Sequence, residues 1–306
     1  MNVNSTNKKY DFPPIPSKKF NKMLPDGTAL VLEGGGMRGY YSAGVFEGFM
    51  EHGIMFPYII GVSAGAANAL TYISGQPMRS RQIVENFAGS PNYVSIRNLF
   101  RYGSMFNREL VFRTIPNKHV FFDFDALQNC PIRFLTGAMD CKTGDVVWFE
   151  KNALTNNLEI TEASCAVPMM APIVKYDNFE LLDGGIPAPI PIEKSISDGN
   201  RFHVIVLTQN NGYTKKPFTK TALAKIIYRK YPNVVKTLIK RHEIYNRQLA
   251  LCEELEKEGK AIIIRPKEPL QVGRTTRDTK LLLELYDEGH RECNEVVERI
   301  INHGNI

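Results

Sequence analysis

The chain is poor in cysteine and histidine, with five and six among 306 residues. Cys130, Cys141, Cys165, Cys252 and Cys293 form no CxxC pair. Neither a disulfide framework nor a zinc site is therefore expected, and a reducing cytoplasm is the natural compartment. The first twenty residues lack the apolar stretch of a signal peptide and read as a polar, proline-containing arm. Internal repeats and low-complexity tracts are missing too. One stretch lacks charge altogether: no Asp, Glu, Lys or Arg stands between Glu51 and Arg79. That length could cross a bilayer. Pro57, Gly61, Ser63, Gly65, Asn68 and Gly75 interrupt it, however, and a buried strand, turn and helix accounts for the same run.

What is present is the composition of a globular protein, 43% hydrophobic and 23% charged. The net charge of +6 comes from 38 basic and 32 acidic residues. It is unevenly placed. Residues 1–200 carry 18 basic and 19 acidic side chains, net −1, and residues 201–306 carry 20 and 13, net +7.

Strands alternate with helices along the chain. Thr28–Glu33 reads as an apolar strand, followed by a glycine loop and a helix over about 39–52. Tyr58–Val62 is a second strand before a small-residue helix from Ala64 to about Ile73. Residues 80–128 suggest short helices. Ile132–Asp140 and Val146–Phe149 flank a hairpin turn at Gly144, and Phe202–Thr208 is apolar enough for a sheet centre. Beyond residue 213 the pattern is helical apart from Ala261–Arg265. Such alternation predicts a mainly parallel sheet covered on both faces. Three parts are expected: a polar arm over 1–27, a catalytic core over 28–200, and a region over 201–306 that completes the sheet and adds basic and amphipathic helices.

Three motifs carry chemistry. Gly34-Gly35-Gly36-Met37-Arg38-Gly39 lies between a strand and a helix. Converging N–H groups and the helix dipole there suit either a pyrophosphate or the oxyanion of acyl transfer. A dinucleotide site needs an acid at the end of the second strand, and that strand ends instead in Gly61-Val62-Ser63-Ala64-Gly65. This G-x-S-x-G is the pattern of a strand-to-helix turn that exposes a serine hydroxyl, with the Ala64 N–H placed to meet an oxyanion. A serine nucleophile needs a base. After Ser63, His119, His203, His242, His290 and His303 all read better as surface or packed residues. Leu181-Leu182-Asp183-Gly184-Gly185 offers a carboxylate at a strand end, although by itself it would also fit a plain turn.

Taken in order, these motifs and the helix-and-proline block Ala163–Pro172 resemble the patatin-like phospholipase family. The likeness runs from about Thr28 to Glu193. It implies a three-layer α/β/α sandwich and a Ser–Asp dyad that hydrolyses lipid acyl esters without histidine, metal or cofactor. By position, Ser63 corresponds to the nucleophile and Asp183 to the base. The backbone at Gly34, Gly35 and Gly36, with Ala64, corresponds to the oxyanion hole. Arg38, Gly39, Gly61, Gly65, Gly184 and Gly185 support these motifs. Glu33 departs from the family pattern, where aspartate or glycine is commoner. The function expected is a serine acyl hydrolase of phospholipase A or lipid esterase type. An acyltransferase with the same dyad and a non-catalytic lipid-binding protein are the alternatives.

Residues 215–247 hold ten Lys or Arg against the single acid Glu243. Ala222, Leu223, Ile226 and Ile227 form one helical stripe, and Val234, Val235, Leu238, Ile239, His242, Tyr245 and Leu249 another. One reading packs both stripes on the sheet beneath a solvated basic face. The other is peripheral contact with an anionic membrane surface. Nucleic acid is not expected as a partner, since no base-reading motif accompanies the charge. Thr279–Ile301 reads as an ordinary packed helix.

Overall fold

The computed structural model describes residues 11, 12 and 15–303; the rest of the arm expected over 1–27 lies outside the described residues. Strands β1 (Lys22–Met23) and β3 (Ile54–Met55) form a small parallel pair. The main sheet contains β2 (Thr28–Leu32), β4 (Tyr58–Val62), β5 (Arg133–Asp140), β6 (Val146–Glu150), β7 (Val174–Tyr176), β8 (Phe179–Asp183), β9 (Phe202–Val206) and β10 (Ala261–Ile264). Its order is β10-β9-β2-β4-β5-β8-β7, with β6 also on β5. From β10 to β5 the strands are parallel, whereas β6 and β8 run antiparallel to β5 and β7 antiparallel to β8. The hairpin at Gly144 is present, and β2 and β4 are buried on both faces.

Period-two alternation divides the sheet residues between two cores. Leu30, Leu32, Ile59, Val204 and Val206 face one way, and Ala29, Val31, Ile60, Leu135 and Ile205 the other. The first face is covered by α1 (Tyr40–Glu51) and α2 (Ser63–Ile73). Around it lie the short helices α3 (Arg79–Ile83), α4 (Ile96–Tyr102), α5 (Phe124–Asn129) and α6 (Glu159–Ser164). The second face takes α7 (Ile192–Ser197) and α9 (Pro232–Lys257) through Ile192, Tyr245, Leu249 and Cys252. This is a three-layer α/β/α sandwich. No helix among the described residues is long and apolar enough to cross a membrane, and the uncharged run after Glu51 is divided among β3, β4 and α2.

Two features of the C-terminal helices depart from the sequence reading. α8 (Thr221–Ile227) does not bury its apolar stripe. Leu223 is 48% exposed, Ile226 72% and Ile227 48%, while Ala224 and Tyr228 face inward. The cause is the anchor: the Tyr228 hydroxyl accepts a 2.7 Å bond from Met169 N, which turns the stripe outward. The stripe of α9 is buried at Val234, Val235, Leu238, Tyr245 and Leu249, but Ile239 remains exposed.

The last helix, α10 (Thr279–His303), is packed more tightly than ordinary packing requires. It crosses α1 at glycines. A Cβ on Gly44 would lie 1.9 Å from Tyr286 O, and one on Gly289 would lie 2.1 Å from Tyr41 O. Tyr41 donates to Glu292, and Tyr286 donates to Glu47 at 2.7 Å, so polar groups are satisfied within the buried seam. The replacement Gly289→Ala is therefore expected to lower stability by about 3 kcal/mol, because the backbones must separate to admit one methyl group. Urea denaturation checks this, with Gly273→Ala as the mild control, since a Cβ there meets only Thr276 Oγ1 at 3.5 Å.

Candidate active site

The carboxyl ends of β2 and β4 and the end of β8 converge, where ligands bind in open α/β sheets. Register brings the two key side chains together. Val62 pairs with Gly137 of β5 and Asp183 pairs with Ala138, so neighbouring residues of one strand align Ser63 beside Asp183. The approach is close enough to require Gly184, where a Cβ would lie 2.1 Å from Gly137 O.

Ser63 begins α2 with φ of 53°, a left-handed conformation that costs a non-glycine residue energy and lifts the hydroxyl out of the strand line. Its N–H donates to Ser164 Oγ at 2.8 Å, and Ser164 in turn donates to Gly137 O at 2.6 Å. Ser63 Oγ donates to Asp183 Oδ2 at 2.8 Å, and the other carboxylate oxygen accepts from Gly185 N at 2.7 Å. Both residues are buried, at 6% and 4% exposure. Burial raises the Asp183 pKa, against the pull of the Ser63 hydroxyl, the Gly185 N–H, Arg241 and Arg274.

The glycine loop passes directly over the serine. A Cβ on Gly34 would lie 2.8 Å from Ser63 Cβ, so no larger residue leaves the path open. The N–H groups of Gly35 and Gly36 have no acceptor among the described residues, while Met37 N donates to Arg274 O at 3.1 Å. Ala64 N–H lies in the first turn of α2, where a helix leaves its donors free. Gly39 packs on Ala64, Gly61 on Ala66, and Gly65 on Glu33 O. Glu33 is buried, accepts from Thr208 N at 2.6 Å and faces Arg38 electrostatically. Arg38 thus braces the loop from behind, and a flipped Gln209 amide would accept from both of its terminal nitrogens.

No histidine lines either cavity at Ser63. His203 bonds Ser195 and is held down to about 4 by burial. His119, His242 and His290 pair with Asp11, Ile239 O and Glu51, and His303 stacks on Phe202. Cys165 lies beside Ser63, but burial raises its thiol pKa far above neutrality, so it stays protonated. Among the described residues no cluster of three or more His, Cys, Asp or Glu is arranged to hold a metal.

Ser63 stands where two cavities meet. One is apolar, walled by Met37, Tyr40, Ala67, Val111, Phe112 and Val167, with empty space of about 790 Å³ including its open mouth. The other contains Asp183, Gly34, Gly35, Gly36, Arg241 and Arg274. Ser164, Arg241 and Arg274 are the site residues that motif reading did not single out.

The family model of the patatin-like phospholipases matches residues 30–195, more than half of the 306 residues. The chain belongs to the patatin-like phospholipase family. That makes it a member of a family of lipid acyl hydrolases. A second model, described as a domain of unknown function (DUF6363), matches residues 231–303. The uncharacterized protein YjjU of Escherichia coli (strain K12) is 30% identical over 190 residues, 60% of this chain and 52% of YjjU. The chain thus matches about half the length of this curated relative. The crystal structure of VipD from Legionella pneumophila aligns over 98% of this chain and 72% of VipD, with 11% identity and a TM-score of 0.49.

Ser164→Ala removes the acceptor for Ser63 N–H and the donor to Gly137 O in a buried place. The expected cost is about 1–3 kcal/mol of folding stability, read from chemical denaturation.

Proposed function

We propose that this patatin-like protein is a serine hydrolase of lipid acyl esters, with Ser63 as nucleophile and Asp183 as its base. The 2.8 Å bond from Ser63 Oγ to Asp183, in a site without histidine, carries the reading. As Ser63 Oγ attacks the ester carbonyl, its proton passes to Asp183. Negative charge on the carbonyl oxygen meets the N–H groups of Gly35, Gly36 and Ala64, each such donor contributing about 3 kcal/mol to the transition state. Asp183 then protonates the departing alcohol, leaving acyl-Ser63. It next takes a proton from water, whose oxygen attacks the acyl carbon; the bond from that carbon to Ser63 Oγ breaks, Asp183 returns the proton to Oγ, and the fatty acid leaves. A carboxylate is a weak base for a hydroxyl, and the raised Asp183 pKa narrows that gap. The apolar cavity fits the acyl chain, and neither metal nor cofactor has a role in these steps.

Ser63→Ala and Asp183→Asn should each reduce turnover of p-nitrophenyl acyl esters by at least a thousandfold while leaving the protein folded. A fluorophosphonate should label wild type and not Ser63→Ala. Because Asp183 acts as carboxylate and its pKa is raised, kcat/KM should fall on acidification at a higher pH than an exposed aspartate would give. Activity in a clean Ser63→Ala preparation would refute the reading.

We also propose that the protein works at an anionic membrane surface. Exposed Leu223, Ile226 and Ile227 on α8 and exposed Ile96, Phe100 and Tyr102 on α4 come from distant parts of the chain. The residue that caps α8 and the loop that follows α4 are tied to one segment: Tyr228 holds Met169 N, and Met105 N donates to Met170 O at 2.8 Å. Met170 lines both cavities at Ser63. The exposed apolar side chains have Lys225, Arg229, Lys236, Arg97 and Arg101 as exposed basic neighbours in sequence. Each basic residue near such a surface contributes about 1 kcal/mol. Sedimentation with vesicles containing phosphatidylglycerol should exceed that with phosphatidylcholine alone, weaken with salt, and fall several-fold in an Ile226→Asp, Phe100→Asp variant. Binding indifferent to lipid charge and salt would rule the surface out.

A further inference from the structure

The second cavity at Ser63 carries unbalanced positive charge, and its source is the region described as a domain of unknown function. Arg241 lies on α9 and Arg274 in the loop before α10, both within residues 231–303. Both line the cavity with Ser63, Asp183 and the glycine loop. No carboxylate oxygen among the described residues lies within 4.0 Å of either guanidinium. Arg241 spends Nε on Gly185 O at 2.8 Å, and its terminal nitrogens have no hydrogen-bond partner among the described residues. Arg274 gives its backbone carbonyl to Met37 N and has no side-chain hydrogen bond with the described residues. Burial and then the charge of Arg274 lower the Arg241 pKa to about 10. Lys215 stands near them, lowered to about 7 by burial, Arg241, Arg274 and Arg38. Glu33 and Asp183 offset part of this charge, but Glu33 is already bound by Thr208 and Asp183 by Ser63 and Gly185. A buried guanidinium with a second one beside it on the same cavity, neither paired with a carboxylate, forms a site for an anion.

Position assigns that anion to one side of the substrate. The apolar cavity takes the acyl chain, so the cationic cavity, which alone of the two holds Asp183, takes the alcohol. We infer that Arg241 and Arg274 bind a phosphate group carried on the alcohol side of the ester. The C-terminal region would then supply the headgroup subsite of the active centre. This rests on the hydrolase reading for its chemistry but not for its binding.

The test uses the full chain and two readouts. In mixed micelles, wild type should prefer diacyl phosphatidate or phosphatidylglycerol to neutral diacylglycerol. The ratio of kcat/KM values should fall about tenfold or more in Arg274→Gln and in Arg241→Gln, with partial recovery in Arg274→Lys. Folding of each variant is checked by its thermal transition, and Arg274→Gln is the arm that leaves the Gly185 contact intact. Separately, Ser63→Ala should bind micelles of a dialkyl ether phosphatidate more tightly than those of the matching dialkyl glycerol, and Ser63→Ala, Arg274→Gln should lose that preference. Inorganic phosphate and glycerol 3-phosphate as competitors show whether the phosphate group alone is recognised. If no ester is turned over but the ether-lipid preference persists, the hydrolase reading fails and the subsite stands. Equal handling of charged and neutral lipids by wild type, or a preference unaltered in both arginine variants, overturns the subsite.

Discussion

The register of β5 is the constraint on which the site depends. Val62 lies opposite Gly137 and Asp183 opposite Ala138, so a single strand acts as the ruler between elbow and carboxylate. A slip of one residue would turn every side chain of β5 to the other face and separate Ser63 from Asp183. The same strand fixes Ser164, whose hydroxyl bridges Gly137 O to Ser63 N. Hydrophobic alternation fills both faces of the sheet and holds that register, so packing on either face also sets the spacing of Ser63 and Asp183.

Much of this was legible in the amino-acid order. Glycine can be read because it marks places where no Cβ fits: Gly34 over Ser63 and Gly184 against Gly137 are steric necessities, and they appear in the sequence as motifs. The strands β2, β4 and β9 are short and mostly apolar, and so announce a buried parallel sheet. Charge was harder. Within the basic run 215–247, Arg241 looks like its neighbours, and only the fold shows that it points inward to Gly185 while Lys240 remains outside. Arg274 lies in an irregular loop where periodicity offers nothing. The outward turn of the α8 stripe was hidden for a related reason. A helical pattern reports that one face is apolar, not which surface it meets, and the Tyr228–Met169 bond that decides this joins residues 59 apart.

The two matched regions are not independent pieces joined by a linker. β9 pairs with β2 and β10 with β9, so the sheet is completed by residues beyond the patatin-like match. Arg274 O receives Met37 N and Arg241 supports Gly185 O, which means the C-terminal region holds both the glycine loop and the segment after Asp183. Its charge also acts on the chemistry, since both arginines favour the ionised form of Asp183 that burial opposes. The excess of basic residues after position 200 therefore divides into an exterior set on α8 and α9 and a pair that lines the cavity with Ser63 and Asp183.

The seam of α1 and α10 has a consequence for how the molecule comes into being. Tyr41 and Glu292 are 251 positions apart, and Tyr286 and Glu47 are 239 apart. During synthesis the glycine loop and the elbow exist long before the helix that covers α1 or the loop that receives Met37. Contacts of such high separation close late. A chain still on the ribosome would carry Ser63 before α10 covers α1 and before the loop at Arg274 receives Met37.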